Sequence, residues 1–223
     1  MKTRCLAHAA AGNSSPAQLL IPSHVVALAA PDSLVHPLVV QSLARRTQRG
    51  ERVGMVIGHN CFALYTLARL ARAGGGDPAR RLDCIELSRA FTCYQLHRRI
   101  LTLDAALLQR WRALYVLGLL DTFFDESIEY HQAAHLLNDV LTQLKRVTRT
   151  GLPVLITLSA PPKPGRESFL ELVAASADEY WALAAPIVQT GGKARVHRAS
   201  QASAQSQQRR RSLWDALCPP RRS

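Results

Sequence analysis

Lysine is nearly missing from this chain: of its 28 basic residues only Lys2, Lys145, Lys163 and Lys193 are lysines. Also missing are any C-x-x-C pair, any acid before Asp32, and any uncharged apolar run near the roughly 20 residues that a membrane-spanning helix needs. Each absence excludes something. Cys5, Cys61, Cys84, Cys93 and Cys218 are odd in number and lack ligand spacing, which speaks against a zinc site or a disulfide framework. Cys61 and Cys84 fall in apolar stretches, where a buried thiol is expected. At the N-terminus, Arg4, His8 and Asn13-Ser14-Ser15-Pro16 interrupt any continuous apolar core, so no secretion signal is read and a cytoplasmic setting is expected, with no membrane partner.

What is present is a chain of one-domain size, 223 residues with 48% hydrophobic and 20% charged, able to bury a core. Its net charge is +12. From Gly191 to Ser223 eight basic residues meet a single acid, Asp215, so that segment carries +7 and the other 190 residues +5. Net basicity invites a nucleic-acid reading, and its location narrows that reading to the C-terminus.

Along the chain, three parts are expected: a lead-in over 1–36 with one apolar stretch from Gln18 to Ala30, a core domain over 37–198, and a basic tail over 199–223. Within the core, short β-rich runs alternate with helical patterns. The runs are Arg52 to Gly58, Leu82 to Leu87, Ala113 to Leu120 and Leu152 to Ser159. The helical patterns are His36 to Arg46, Phe62 to Ala73, Tyr94 to Leu101, Ile128 to Thr148 and Phe169 to Ala184, with a small hairpin over 187–197. Alternation of this kind means right-handed crossovers and an α/β fold with a mostly parallel sheet, covered on both faces because its strands are apolar at nearly every position. The tail differs. Ser200-Gln-Ala-Ser-Ala-Gln-Ser-Gln-Gln208 cannot form a packed core, and Arg209, Arg210 and Arg211 then precede a short motif around Trp214. The reading is a flexible basic segment that docks on DNA or an acidic partner.

Ligands of open α/β sheets sit beyond the carboxyl ends of the strands. After the first core run comes Gly58-His59-Asn60-Cys61-Phe62-Ala63-Leu64-Tyr65, where a phosphate-binding loop would read G-x-x-x-x-G-K-S/T. The first glycine is there, but Ala63, Leu64 and Tyr65 replace the second glycine, the lysine and the hydroxyl. A leucine cannot neutralise a polyphosphate. After the third run, Asp121 stands where a nucleotide-hydrolysing protein holds its Mg²⁺, or else caps the following turn. Arg89 and the pair Arg98, Arg99 flank Phe91 and Tyr94, cations and aromatics that suit a nucleic-acid strand unless the aromatics are core. His131 and His135 have metal-pair spacing, but Gln132 replaces the glutamate of H-E-x-x-H, so a plain helix surface is expected and no metal site is assigned.

Three features together, the turn at Gly58, the segment Ile85-Glu-Leu-Ser-Arg-Ala-Phe-Thr-Cys-Tyr-Gln-Leu96, and the Leu114 to Phe124 strand with its acid, resemble the RecA-like branch of the P-loop ATPases, the recombinase and repair paralogues especially. The similarity covers roughly Pro37 to His197. It implies a RecA-like three-layer fold and an association with DNA recombination or repair. In that family an acid after the second strand activates water; Ser88 stands at that position here, and Glu86 lies within the strand. With both the lysine and the acid missing, the expectation is a non-hydrolysing accessory protein without a cofactor, acting through DNA or through a catalytic partner such as a RecA-like paralogue or a polymerase. Two alternatives remain: a DNA-dependent ATPase that uses ATP and Mg²⁺ at Asp121 through the degenerate loop, and a scaffold that binds no nucleic acid.

Overall fold

Residues 3–5, 20–58, 72, 77–125, 127–158 and 164–183 are described by a computed structural model of the chain. Its sheet is built from short β-branched and leucine-rich runs. Four of them, β2 (Val25–Ala29), β3 (Val53–Ile57), β5 (Leu114–Leu117) and β6 (Val154–Leu158), are buried at every position, as strands covered on both faces must be. With β1 (Thr3–Cys5), β4 (Ile85–Arg89) and β7 (Glu179–Ala182) they form a seven-stranded sheet of order β1-β7-β2-β6-β5-β3-β4. Every pairing is parallel. The α/β expectation with a mostly parallel sheet is met.

Six helices accompany these strands among the described residues: α1 (Asp32–Gln48), α2 (Pro78–Leu82), α3 (Cys93–Leu101), α4 (Ala105–Arg110), α5 (Tyr130–Thr148) and α6 (Ser168–Ser176). Helical spacing places Val35, Val39, Val40 and Leu43 of α1 against Val26, Leu28, Met55 and Tyr115 on one face of the sheet. Leu96 and Ile100 of α3, Leu137, Leu141 and Leu144 of α5, and Phe169 and Val173 of α6 pack on the other face against Val25, Ala27, Val116 and Ile156. Helix, sheet and helix thus make three layers.

Several boundaries differ from the sequence expectations. Val25–Ala29, expected inside a lead-in, is an interior strand, and Asp32–Gln48 begins before the expected His36. Pro37 lies within α1 on its exposed side, so the helix tolerates one missing N–H rather than starting there. The expected helix over Phe169 to Ala184 stops at Ser176. Asp178 then accepts the Val25 amide at 2.8 Å and donates its own amide to the Val25 carbonyl, which ties the following residues to β2 as a strand. The second core strand runs Ile85–Arg89 rather than 82–87, because Pro78–Leu82 is helical with Asp77 capping the Ala79 amide at 2.9 Å. Cys84 is half-buried, whereas Cys93 is the fully buried thiol, its pKa pushed up by desolvation.

Candidate functional site

All strands run one way, so their carboxyl ends share one edge. Crevices open there where neighbouring strands send the chain to opposite faces. The pair β2 and β6 does so, with α1 leaving on one face and α6 on the other. At that edge Thr157 of β6, fully buried, donates nothing to solvent; its Oγ1 accepts the Gly118 amide at 2.9 Å. Gly118 adopts φ +63°, and this left-handed residue turns the chain from β5 into a 3-10 turn, Leu119–Thr122, that carries Asp121.

Asp121 does not cap its own turn with its side chain. Its Oδ1 is buried without a hydrogen-bond partner. Burial first, and then the Asp32 carboxylate at the start of α1, push its pKa up to about 6. Among the described residues no cation opposes these influences; only the backbone amide of Asp121 itself does. Asp32 suits the positive end of α1 and approaches His36 Nε2 at 3.7 Å. Two carboxylates so placed repel an uncomplexed triphosphate, and the described residues around Asp121 offer its phosphates no positive charge. No group of three or more metal-ligating side chains occurs among the described residues.

Gly58 follows β3 on the same edge. Its amide donates to the Leu117 carbonyl at 2.8 Å, carrying the ladder one bond beyond the strands. A Cβ on Gly58 would lie 2.7 Å from the Gly118 carbonyl oxygen and 3.0 Å from Leu96. Close packing of two backbones therefore accounts for this glycine. His59, Asn60, Cys61, Phe62, Ala63, Leu64 and Tyr65 lie outside the described residues, as do Arg209, Arg210, Arg211 and Trp214 and the expected hairpin.

Beside β4 the surface changes character. Ser88, aligned with the water-activating acid of the resemblance, sits inside the strand with its Oγ buried and unpartnered. Glu86 accepts from Arg110 at 2.7 Å and Arg52 at 3.4 Å, a carboxylate held between two guanidinium groups. The chain then enters α3 through a paired cap: Thr92 Oγ1 accepts the Gln95 amide at 3.2 Å, and Gln95 Oε1 accepts the Phe91 amide at 2.8 Å. This fixes the turn that presents Phe91, 70% exposed, with the Arg89 guanidinium 5.5 Å over its ring. Cys93, Leu96 and Ile100 take the buried face of α3. Tyr94, Arg98 and Leu101 fall on the opposite face at intervals of four and three, all exposed. Among the described residues, four of the five exposed large hydrophobics (Leu87, Phe91, Tyr94 and Leu101) belong to β4, α3 and the turn between them. The structure thus brings Arg89, Phe91, Tyr94 and Arg98 onto one surface. Arg99 turns instead toward the cleft it lines with Glu86, Ser88 and Trp111.

His131 is an exposed surface residue of α5. His135 joins His97 on the single carboxylate of Asp139, at 3.4 and 3.2 Å, bridging α5 to α3. Sequence reading misses His97 because its partner lies 42 positions away. Compared with known proteins, the chain matches no family model and no curated protein.

Proposed function

We propose that this chain is a non-hydrolysing RecA-like accessory protein of DNA recombination or repair, which works by holding a single-stranded DNA segment rather than by turnover. One observation carries the reading: two exposed aromatic rings, Phe91 in the capped turn and Tyr94 on α3, stand beside Arg89 and Arg98. Exposed rings cost solvation unless something stacks on them, and unpaired bases do so without regard to sequence. Arginines beside them suit the phosphates of the same strand. The bland account of Arg98 and Arg99 is that they favour the carboxyl end of α3; it leaves Phe91 unexplained. Leu64 in place of the phosphate-binding lysine and Ser88 in place of the water-activating acid favour contact over hydrolysis.

Anisotropy of a labelled single-stranded oligonucleotide tests the reading. Phe91→Ala and Tyr94→Ala should each weaken binding by ~1–3 kcal/mol. Arg98→Ala should reduce the salt slope by about 0.7 for one lost phosphate contact. Binding that ignores Phe91 and Tyr94, or calorimetric binding of ATP with Mg²⁺ that Asp121→Ala abolishes, would sink it.

A further inference from the structure

We propose that the amino-terminal edge of the sheet binds the phosphate backbone of a nucleic-acid duplex, on a second surface apart from Phe91 and Tyr94. Every strand pairing is parallel, so each connection returns the chain to this edge before the next strand begins. Helices therefore deliver their carboxyl ends here, and five of the six described helices carry basic residues in the last turn. From the last turn of a helix through the second residue of the next strand, these connections hold thirteen basic residues and six acids. Three of the acids, Glu51, Glu86 and Asp178, are paired with Arg46, Arg52, Arg110 and Lys145. The segments outside the described residues cannot cancel the surplus, since only two of the chain's 16 acids, Glu126 and Asp215, fall in them.

Exposed arginines stand at four neighbouring strand entries: Arg149 before β6, Arg112 before β5, Arg49 before β3 and Arg80 before β4. Among the described residues Arg80, Arg112 and Arg149 make no ion pair, and Arg49 comes no nearer than 3.9 Å to Glu51. Strands ~4.8 Å apart spread the four entries over ~14 Å. The helix macrodipole favours a cation at a carboxyl end by ~0.3–1 kcal/mol, but it does not call for a cluster shared by several helices. Arg112 lies beyond the end of α4, past the extended Trp111. A duplex carries a phosphate every ~3.4 Å along each strand, so this row spans about four of them. An unpaired strand would need rings to stack on, and an acidic protein would need apolar anchors. Of the exposed large hydrophobics among the described residues, only Leu101 ends a helix at this edge. Arginines without rings fit a partner whose bases are already stacked and whose charge lies outside.

Anisotropy of a blunt, labelled duplex with the full chain, across a salt series, tests this. The wild type should bind with an affinity that falls steeply as salt rises. Arg49→Gln, Arg112→Gln and Arg149→Gln combined should reduce the salt slope by about 2.7, at ~0.9 for each lost phosphate contact. The same three positions changed to Lys should retain the slope, because counterion release follows charge. Both variants should melt with the wild type, since the three side chains are exposed. Without any variant, phenylglyoxal should modify Arg49, Arg112 and Arg149 more slowly once duplex is bound. The effect of Phe91→Ala on a single-stranded oligonucleotide is read separately, so either surface can fail while the other stands. A wild type that binds no duplex, a slope unchanged in the Gln variant, an equal loss in the Lys variant, or arginines left unprotected each overturns the proposal. Tighter binding of polyglutamate than of duplex assigns the edge to an acidic protein and overturns it as well.

Discussion

Gly58 and Asp121 are the two residues a phosphate-binding reading depends on, and the structure gives each a physical setting. Gly58 is small because the Gly118 backbone lies against it. Gly58→Ala should cost ~1–3 kcal/mol by overpacking, read as a lower denaturant midpoint with an unchanged slope. A substitution without effect would show that the two backbones can part, as a ligand-binding loop must. Asp121 holds a pKa of about 6 against an ordinary value of 3.8. Between those values the folded state keeps a proton that the unfolded state has lost, so stability falls as pH rises from about 4 to 6 and stays low above. Asp121→Asn removes the charge and should stabilise the protein at pH 8 by roughly 2–3 kcal/mol, the advantage shrinking toward pH 4. Urea titrations at the two pH values check this; an equal difference at both would exclude the buried-charge account.

At the scale of elements, caps and latches decide what is presented. Thr92 and Gln95 hold the α3 entry and with it Phe91. On the next strand end, Arg166 is 7% exposed, donates to the Phe123 carbonyl at 2.7 Å and to the Ile128 carbonyl, and lies 5.7 Å over the Phe169 ring. One side chain thus joins the segment after the 3-10 turn to α6. Arg166→Met leaves two buried carbonyls without their donor and should cost ~1–3 kcal/mol for each. The melting temperature reports it, and a loss below ~1 kcal/mol would mean that water replaces the guanidinium. Elements also show where periodicity misleads. Leu172, Val173, Tyr180, Trp181 and Leu183 read as one helical face, yet Ala177 is extended and Glu179–Ala182 is a strand. Short apolar runs fit either period, and pairing with β2 chose between them. In the same way α4 gives no periodic signal, because Ala105–Arg110 is too short to show one, although Asp104 caps it through the Leu107 amide at 2.8 Å.

For the whole molecule, charge is divided between a mildly basic body and a strongly basic C-terminal segment. Deleting residues 200–223 should leave the melting temperature within ~1 °C, since Ser200–Gln208 is low in complexity and too polar to form a packed core. It should also lower the salt slope of DNA binding while the Phe91 and Tyr94 effects persist. Disappearance of those aromatic effects would place DNA on the tail alone. No helix among the described residues is long and apolar enough to cross a membrane.

Composition and periodicity alone determined the α/β class, the parallel sheet and three interior strands of it, β3, β5 and β6, because strands buried on both faces must be apolar throughout and crossovers must be helical. They also placed Arg89, Phe91 and Tyr94 together, being close in sequence. Tertiary structure alone decided the rest, since each remaining feature joins distant positions. Val25–Ala29 became an interior strand through β6 and β7, and Gly58 owes its size to Gly118. Asp121 feels Asp32, and His97 meets Asp139. Local chemistry records what a residue can do, but which charges, backbones and strand edges face one another is set by the sheet order.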